Sequence, residues 1–91
     1  KVAAALAAGC TVISRPPQET PGCTGELFRA LADAGIPAGV AQLVHGSGSH
    51  ISEKLLGSKV IRKMSFTGSV PVGKTLMKLA ADSMTRITLE V

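Results

Sequence analysis

Between Met64 and Thr75 the chain changes character within four residues. Val60 to Phe66 reads as a strand interrupted by Arg62 and Lys63. Ser69 to Ala81 reads as a helix with Leu76, Met77, Leu79 and Ala80 on its inner side. Pro71 falls in that helix's first turn, where a missing N–H removes no helical hydrogen bond. The junction Phe66-Thr67-Gly68-Ser69 therefore turns a strand directly into a helix start. The first N–H groups of a helix lack internal partners and point outward, so the junction is suited to an anion.

The rest of the chain repeats the alternation. Lys1 to Ala8 reads as the end of a helix, with Gly9 as its stop. The same run, ending in Cys10, has the small-small-Gly-Cys spelling of a lipoprotein signal, but it lacks a basic start with its Met. Thr11 to Ser14 is a short β-branched strand ended by Pro16-Pro17. Thr20-Pro21 reads as an N-cap followed by a first-turn proline. The helix that follows carries Leu27, Phe28, Leu31 and Ala32 and stops at Gly35. Val40 to Val44 is the next strand, and Gly46 to Ser49 a turn. Ile51, Leu55 and Leu56 mark a short helix, and Arg86 to Val91 a last strand. Strands alternating with helices predict a parallel α/β sheet with right-handed crossovers, whose ligands bind beyond the carboxyl ends of the strands.

Composition narrows the function. With 91 residues the chain is one small domain, and it reads as an internal piece of a longer protein. Aromatic residues are 2% of it, so aliphatic and small residues must build the core. The net charge of +4 comes from scattered cations, with no Trp or Tyr to stack on bases, which argues against nucleic acid. No stretch is long enough to span a membrane. Cys10 and Cys23 show no metal-ligand spacing and read as buried free thiols in a reducing compartment. His45 and His50 read as surface residues rather than ligands.

The turn supports two functional readings. Gly68 to Thr75 spells G-x-x-x-x-G-K-[ST], a P-loop in which Lys74 would reach phosphates and Thr75 would hold magnesium. Against it, Pro71 places Gly73 and Lys74 inside a helix, and no suitable acidic residue follows on a neighbouring strand except Glu90.

The second reading rests on five segments in register. They are Ala5 to Val12, Arg15 to Pro21, Ala34-Gly35-Ile36-Pro37-Ala38-Gly39-Val40, Phe66-Thr67-Gly68-Ser69 followed by Gly73, and Thr88-Leu89-Glu90. Together they resemble the aldehyde dehydrogenase superfamily over essentially the whole chain. The resemblance implies a Rossmann-like parallel sheet with flanking helices. Residues 1–91 would then be part of an NAD(P)-binding domain, with the catalytic and oligomerisation domains elsewhere. The parent would oxidise an aldehyde, in the semialdehyde class, to a carboxylic acid through a cysteine thiohemiacetal. It would pass hydride to NAD or NADP, and would be a cytoplasmic homodimer or homotetramer.

The resemblance also assigns residues. Ser69 would hydrogen-bond the cofactor pyrophosphate at the helix N-terminus, and Gly68 would let the backbone approach it. Val72 would pack near the adenine, Gly48 would border the adenine pocket, and Gly73 belongs to the same signature. Glu90 would be the general base. The family's Lys and Glu near the ribose are here Arg15 and Gln18. A neutral Gln18 beside a cation that can pair with phosphate predicts that NADP is tolerated or preferred. In the family the nucleophilic cysteine lies beyond the motif begun by Leu89-Glu90, so neither Cys10 nor Cys23 is assigned to it. The 91 residues alone are expected to be inactive. The non-enzyme alternative is a protein that kept the fold and lost the chemistry.

Overall fold

The computed structural model describes all 91 residues. Eight elements alternate without exception: α1 (Val2–Ala7), β1 (Val12–Ser14), α2 (Gly22–Asp33), β2 (Ala41–Leu43), α3 (Gly48–Leu56), β3 (Lys63–Thr67), α4 (Val70–Ser83) and β4 (Arg86–Glu90). They form two compact units, Lys1–Gly46 and Ser47–Val91, each helix–strand–helix–strand. The strands are parallel, as the alternation predicts, but hydrogen bonding gives two two-stranded sheets rather than one. In the first unit β1 pairs with β2, Val12 opposite Ala41. In the second β3 pairs with β4, from Lys63 opposite Arg86 to Thr67 opposite Glu90. Parallel neighbours cannot be joined by a tight turn, and α2 and α4 are the crossovers they need.

In the first unit Phe28 is the buried residue of α2, and Pro16 is buried just beyond β1. The helix ends follow one rule. At Gly9 (φ 77°) the Gly9 and Cys10 N–H groups donate to the Leu6 and Ala5 carbonyls. At Gly35 (φ 91°) the Gly35 and Ile36 N–H groups donate to Ala32 and Leu31 in the same way. This closure needs a left-handed residue, which glycine supplies without a Cβ penalty.

The second unit ends α4 with the same bonds, Met84 to Ala81 and Thr85 to Ala80, but its left-handed residue is Met84 at φ 55°. Met84 is 88% exposed, so its side chain offers little packing in return for that backbone. Met84→Gly is therefore expected to stabilise the protein by roughly 0.5–1 kcal/mol. A higher urea midpoint with unchanged slope confirms it.

The core of the second unit is Leu56, Leu76 and Ala80, with Met64, Phe66, Leu79 and Ile87 packed against it. Both strands alternate half-buried and exposed residues. Met64, Phe66, Ile87 and Leu89 are half-buried, while Lys63, Ser65, Thr67, Arg86, Thr88 and Glu90 lie on the exposed face. Strand β3 begins at Lys63, later than the apolar letters from Val60 predict. The Ser58 hydroxyl accepts the Val60 N–H at 3.3 Å, and this local turn removes Val60 from the strand, leaving it 80% exposed.

Candidate functional site at the start of helix α4

The β3–α4 junction consists of Gly68 and Ser69 alone. Ser69 is the N-cap, extended at φ −77° and ψ 150°, and Val70 already begins the helix. The Gly73 N–H donates to the Ser69 carbonyl at 3.0 Å, the first regular helical bond. Gly73, Lys74 and Thr75 are thus helical, and the Thr75 hydroxyl donates back to the Pro71 carbonyl at 3.2 Å. The P-loop reading fails on this geometry, because its glycine-to-lysine segment must be a loop to cradle phosphates.

What remains is the start of a 14-residue helix with no acidic residue in its first turn. The Ser69 side chain makes no capping bond to α4. The Val70 and Val72 N–H groups precede the first helical bond, and Pro71 has none to give. A hydroxyl, outward N–H groups and the positive end of a helix dipole suit an anionic group such as a pyrophosphate. Val72 stands in this first turn, 47% exposed, as an apolar surface beside the polar one.

Gly68 and Gly73 have structural reasons of their own. A Cβ on Gly68 would come within 2.5 Å of Phe66 Cζ, and the Phe66 ring is held against the core. Gly73 is buried, and a Cβ there would meet Val91 Cγ1 at 3.1 Å and Leu89 Cδ1 at 3.4 Å. Its place in the sequence signature thus also reflects close packing of α4 on the end of β4.

Glu90 is joined to this turn twice. Its carbonyl accepts the Gly68 N–H at 3.2 Å, and its carboxylate Oε2 accepts the Thr67 hydroxyl at 3.0 Å. The strand register brings a carboxylate and an anion-suited helix start to the carboxyl ends of neighbouring parallel strands. Thr67 was not singled out from the sequence, since 23 residues separate it from Glu90. Only the parallel register pairs them.

The other candidates belong to other segments of the chain. Gly48 opens α3, half-buried behind the N-cap Ser47, whose hydroxyl lies 2.9 Å from that of Ser49. In the first unit the Arg15 Nε and Nη2 both donate to the Gly46 carbonyl, at 3.2 and 3.1 Å, tying the end of β1 to the loop after β2. Any phosphate taken by Arg15 would have to use its Nη1 side or displace this contact. Gln18 is exposed in the bend that follows. Cys10 and Cys23 are free and exposed, not buried as the sequence leads one to expect. Cys10 lies just past the glycine turn of α1, and Cys23 in the opening turn of α2. No group of three or more His, Cys, Asp or Glu could hold a metal ion, and no helix is long and apolar enough to cross a membrane.

Comparison with known proteins decides the family. The family model for the "aldehyde dehydrogenase family" matches residues 1–91. The chain belongs to the aldehyde dehydrogenase family. It is 45% identical to a 3-sulfolactaldehyde dehydrogenase of Pseudomonas putida, aligning over all of this chain and 19% of that protein. It is 44% identical to a probable NADP(+) succinate-semialdehyde dehydrogenase of Sinorhizobium fredii, again over 100% of this chain and 19% of the relative. The crystal structure of a betaine aldehyde dehydrogenase from Staphylococcus aureus in complex with NAD+ superposes with a TM-score of 0.95 at 38% identity. That match covers 100% of this chain and 18% of the other. The chain thus spans about a fifth of the length of the curated relatives it matches (19%). Relatives in this family use NAD or NADP.

Proposed function

We propose that these residues are part of the NAD(P)-binding domain of an enzyme that oxidises an aldehyde to a carboxylic acid. The observation that carries this is the pairing of an anion-suited helix start, Gly68-Ser69, with a carboxylate, Glu90, held beside it by two hydrogen bonds. In this reading Ser69 and the first N–H groups of α4 bind the pyrophosphate, and Gly68 lets the backbone approach it. Val72 and Gly48 border the adenine, and Gly73 holds α4 against β4. Bound cofactor supplies the hydride acceptor. Glu90 takes a proton from water or from the cysteine thiol, which lies outside these residues. A catalytic domain and an oligomerisation domain complete a cytoplasmic homodimer or homotetramer. Neither nucleic acid nor membrane has a part.

The substrate class is proposed as an aldehyde carrying a remote acid group, in line with the succinate-semialdehyde and 3-sulfolactaldehyde names of the relatives. The test uses the complete protein with NAD or NADP and a panel of aldehydes with and without a remote acid. Reduced nicotinamide should form only when an aldehyde is present. Cofactor binding without turnover on any aldehyde supports the non-catalytic alternative instead.

Cofactor choice follows from Gln18 and Arg15. A carboxylate at Gln18 would repel a 2′-phosphate, whereas the amide does not. NADP is therefore tolerated or preferred. Gln18→Glu should lower kcat/KM for NADP about tenfold relative to NAD, roughly 1.4 kcal/mol of discrimination. A tenfold preference of the unmodified enzyme for NAD contradicts this account.

A further inference from the structure

We propose that Thr67 is a positioning residue that acts through Glu90, fixing the direction of the carboxylate. The inference rests on the reading of Glu90 as the general base. Thr67 and Glu90 are register partners at the carboxyl ends of β3 and β4, on the exposed face of the pair. The Thr67 hydroxyl donates to Oε2 at 3.0 Å, a charge-assisted bond between two side chains whose backbones are themselves held in the ladder. A glutamate side chain has several staggered rotamers open to it. A hydroxyl on the neighbouring strand selects among them. The geometry of proton transfer is demanding, so a base set in one rotamer works on more of its encounters than one that wanders.

Thr67 suits this part better than the residues around it. Its branched Cβ stiffens χ1, so the hydroxyl has a defined direction. The Gly68 N–H to Glu90 carbonyl bond, at 3.2 Å, holds the two backbones at the register the side-chain bond needs. The exposed face also makes the side-chain bond separable from folding, since neither residue belongs to the core.

The test is a double-substitution cycle in the complete enzyme, with Thr67→Val, Thr67→Ser, Glu90→Gln and the Thr67→Val/Glu90→Gln pair. Valine keeps the branched shape and removes the donor; serine keeps the donor. Thr67→Val should lower kcat about tenfold with KM for aldehyde within about twofold, and Thr67→Ser should restore most of the rate. In the Glu90→Gln background, Thr67→Val should cost almost nothing further, because the base it serves is gone. Cofactor titration of each variant shows whether the turn still binds. Equal loss from Thr67→Val with or without Glu90 overturns the proposal and leaves Glu90 in its role. No loss from Thr67→Val, or no rescue by serine, overturns it too. An unchanged rate for Glu90→Gln overturns the reading on which it rests.

Discussion

Glu90→Gln in the complete protein should lower kcat by about 10²- to 10⁴-fold while cofactor affinity stays within a few-fold. Glutamine has the length of glutamate, and its amide oxygen still accepts the Thr67 hydroxyl. The Gly68 N–H to Glu90 carbonyl bond is made by backbone and is unaffected. Glu90 is exposed, so no core packing is lost. What disappears is the capacity to take a proton, and a loss confined to kcat is the signature of that role. Steady-state rates with a saturating aldehyde, set beside a cofactor titration, separate chemistry from binding. A rate unchanged by the substitution removes Glu90 from the chemistry. A fall in cofactor affinity as large as the fall in rate assigns it to the binding site instead.

The second large effect concerns Ser69. Ser69→Asp should weaken NAD and NADP binding about a hundredfold without unfolding α4. Aspartate is as good an N-cap as serine, and its charge is favourable at a helix start, so the helix itself gains if anything. The Ser69 carbonyl still accepts the Gly73 N–H. A pyrophosphate at the same place meets a like charge at close range. At about 4 Å and an effective dielectric near 20, two unit charges interact by about 4 kcal/mol, and solvent screening at an exposed turn leaves a smaller part of it. About 2.7 kcal/mol corresponds to a hundredfold. The variant thus opposes helix stability and cofactor affinity, which a general loss of structure cannot do.

The order of elements was legible because the punctuation is local. Gly9 and Gly35 stop helices in left-handed turns, and Pro71 falls in a first turn. Thr20 reads as the N-cap of α2 from the sequence, but Pro21 takes that position, in a helical conformation and with no side-chain capping bond, and Gly22 opens the helix. The end of α4 carries no glycine: Met84 adopts the left-handed turn, so composition does not announce it. Strand β3 was read too long because a serine hydroxyl bonding two residues ahead outweighs the β-preference of Val60.

The site was legible where it depends on a contiguous segment and not where it depends on register. Gly68 and Ser69 could be placed at a helix start from their neighbours alone. The Thr67–Glu90 bond joins two strands and has no trace in the spacing of residues along the chain. Gly73-Lys74-Thr75 shows the opposite failure: a motif spelled in letters is a statement about backbone shape, and here that backbone is helix. Arg15 shows a third case. Its charge suggests a phosphate, while its guanidinium already holds the Gly46 carbonyl by two donors.

In the proposed function the start of α4 grips a dinucleotide. Calorimetric titration of NAD and NADP into the complete protein and into its Ser69→Asp variant tests it most directly, with circular dichroism to show that both are folded. The unmodified protein should bind saturably, and the variant with affinity about a hundredfold weaker. Equal affinity of the two folded proteins for both cofactors would place the pyrophosphate elsewhere and contradict the account.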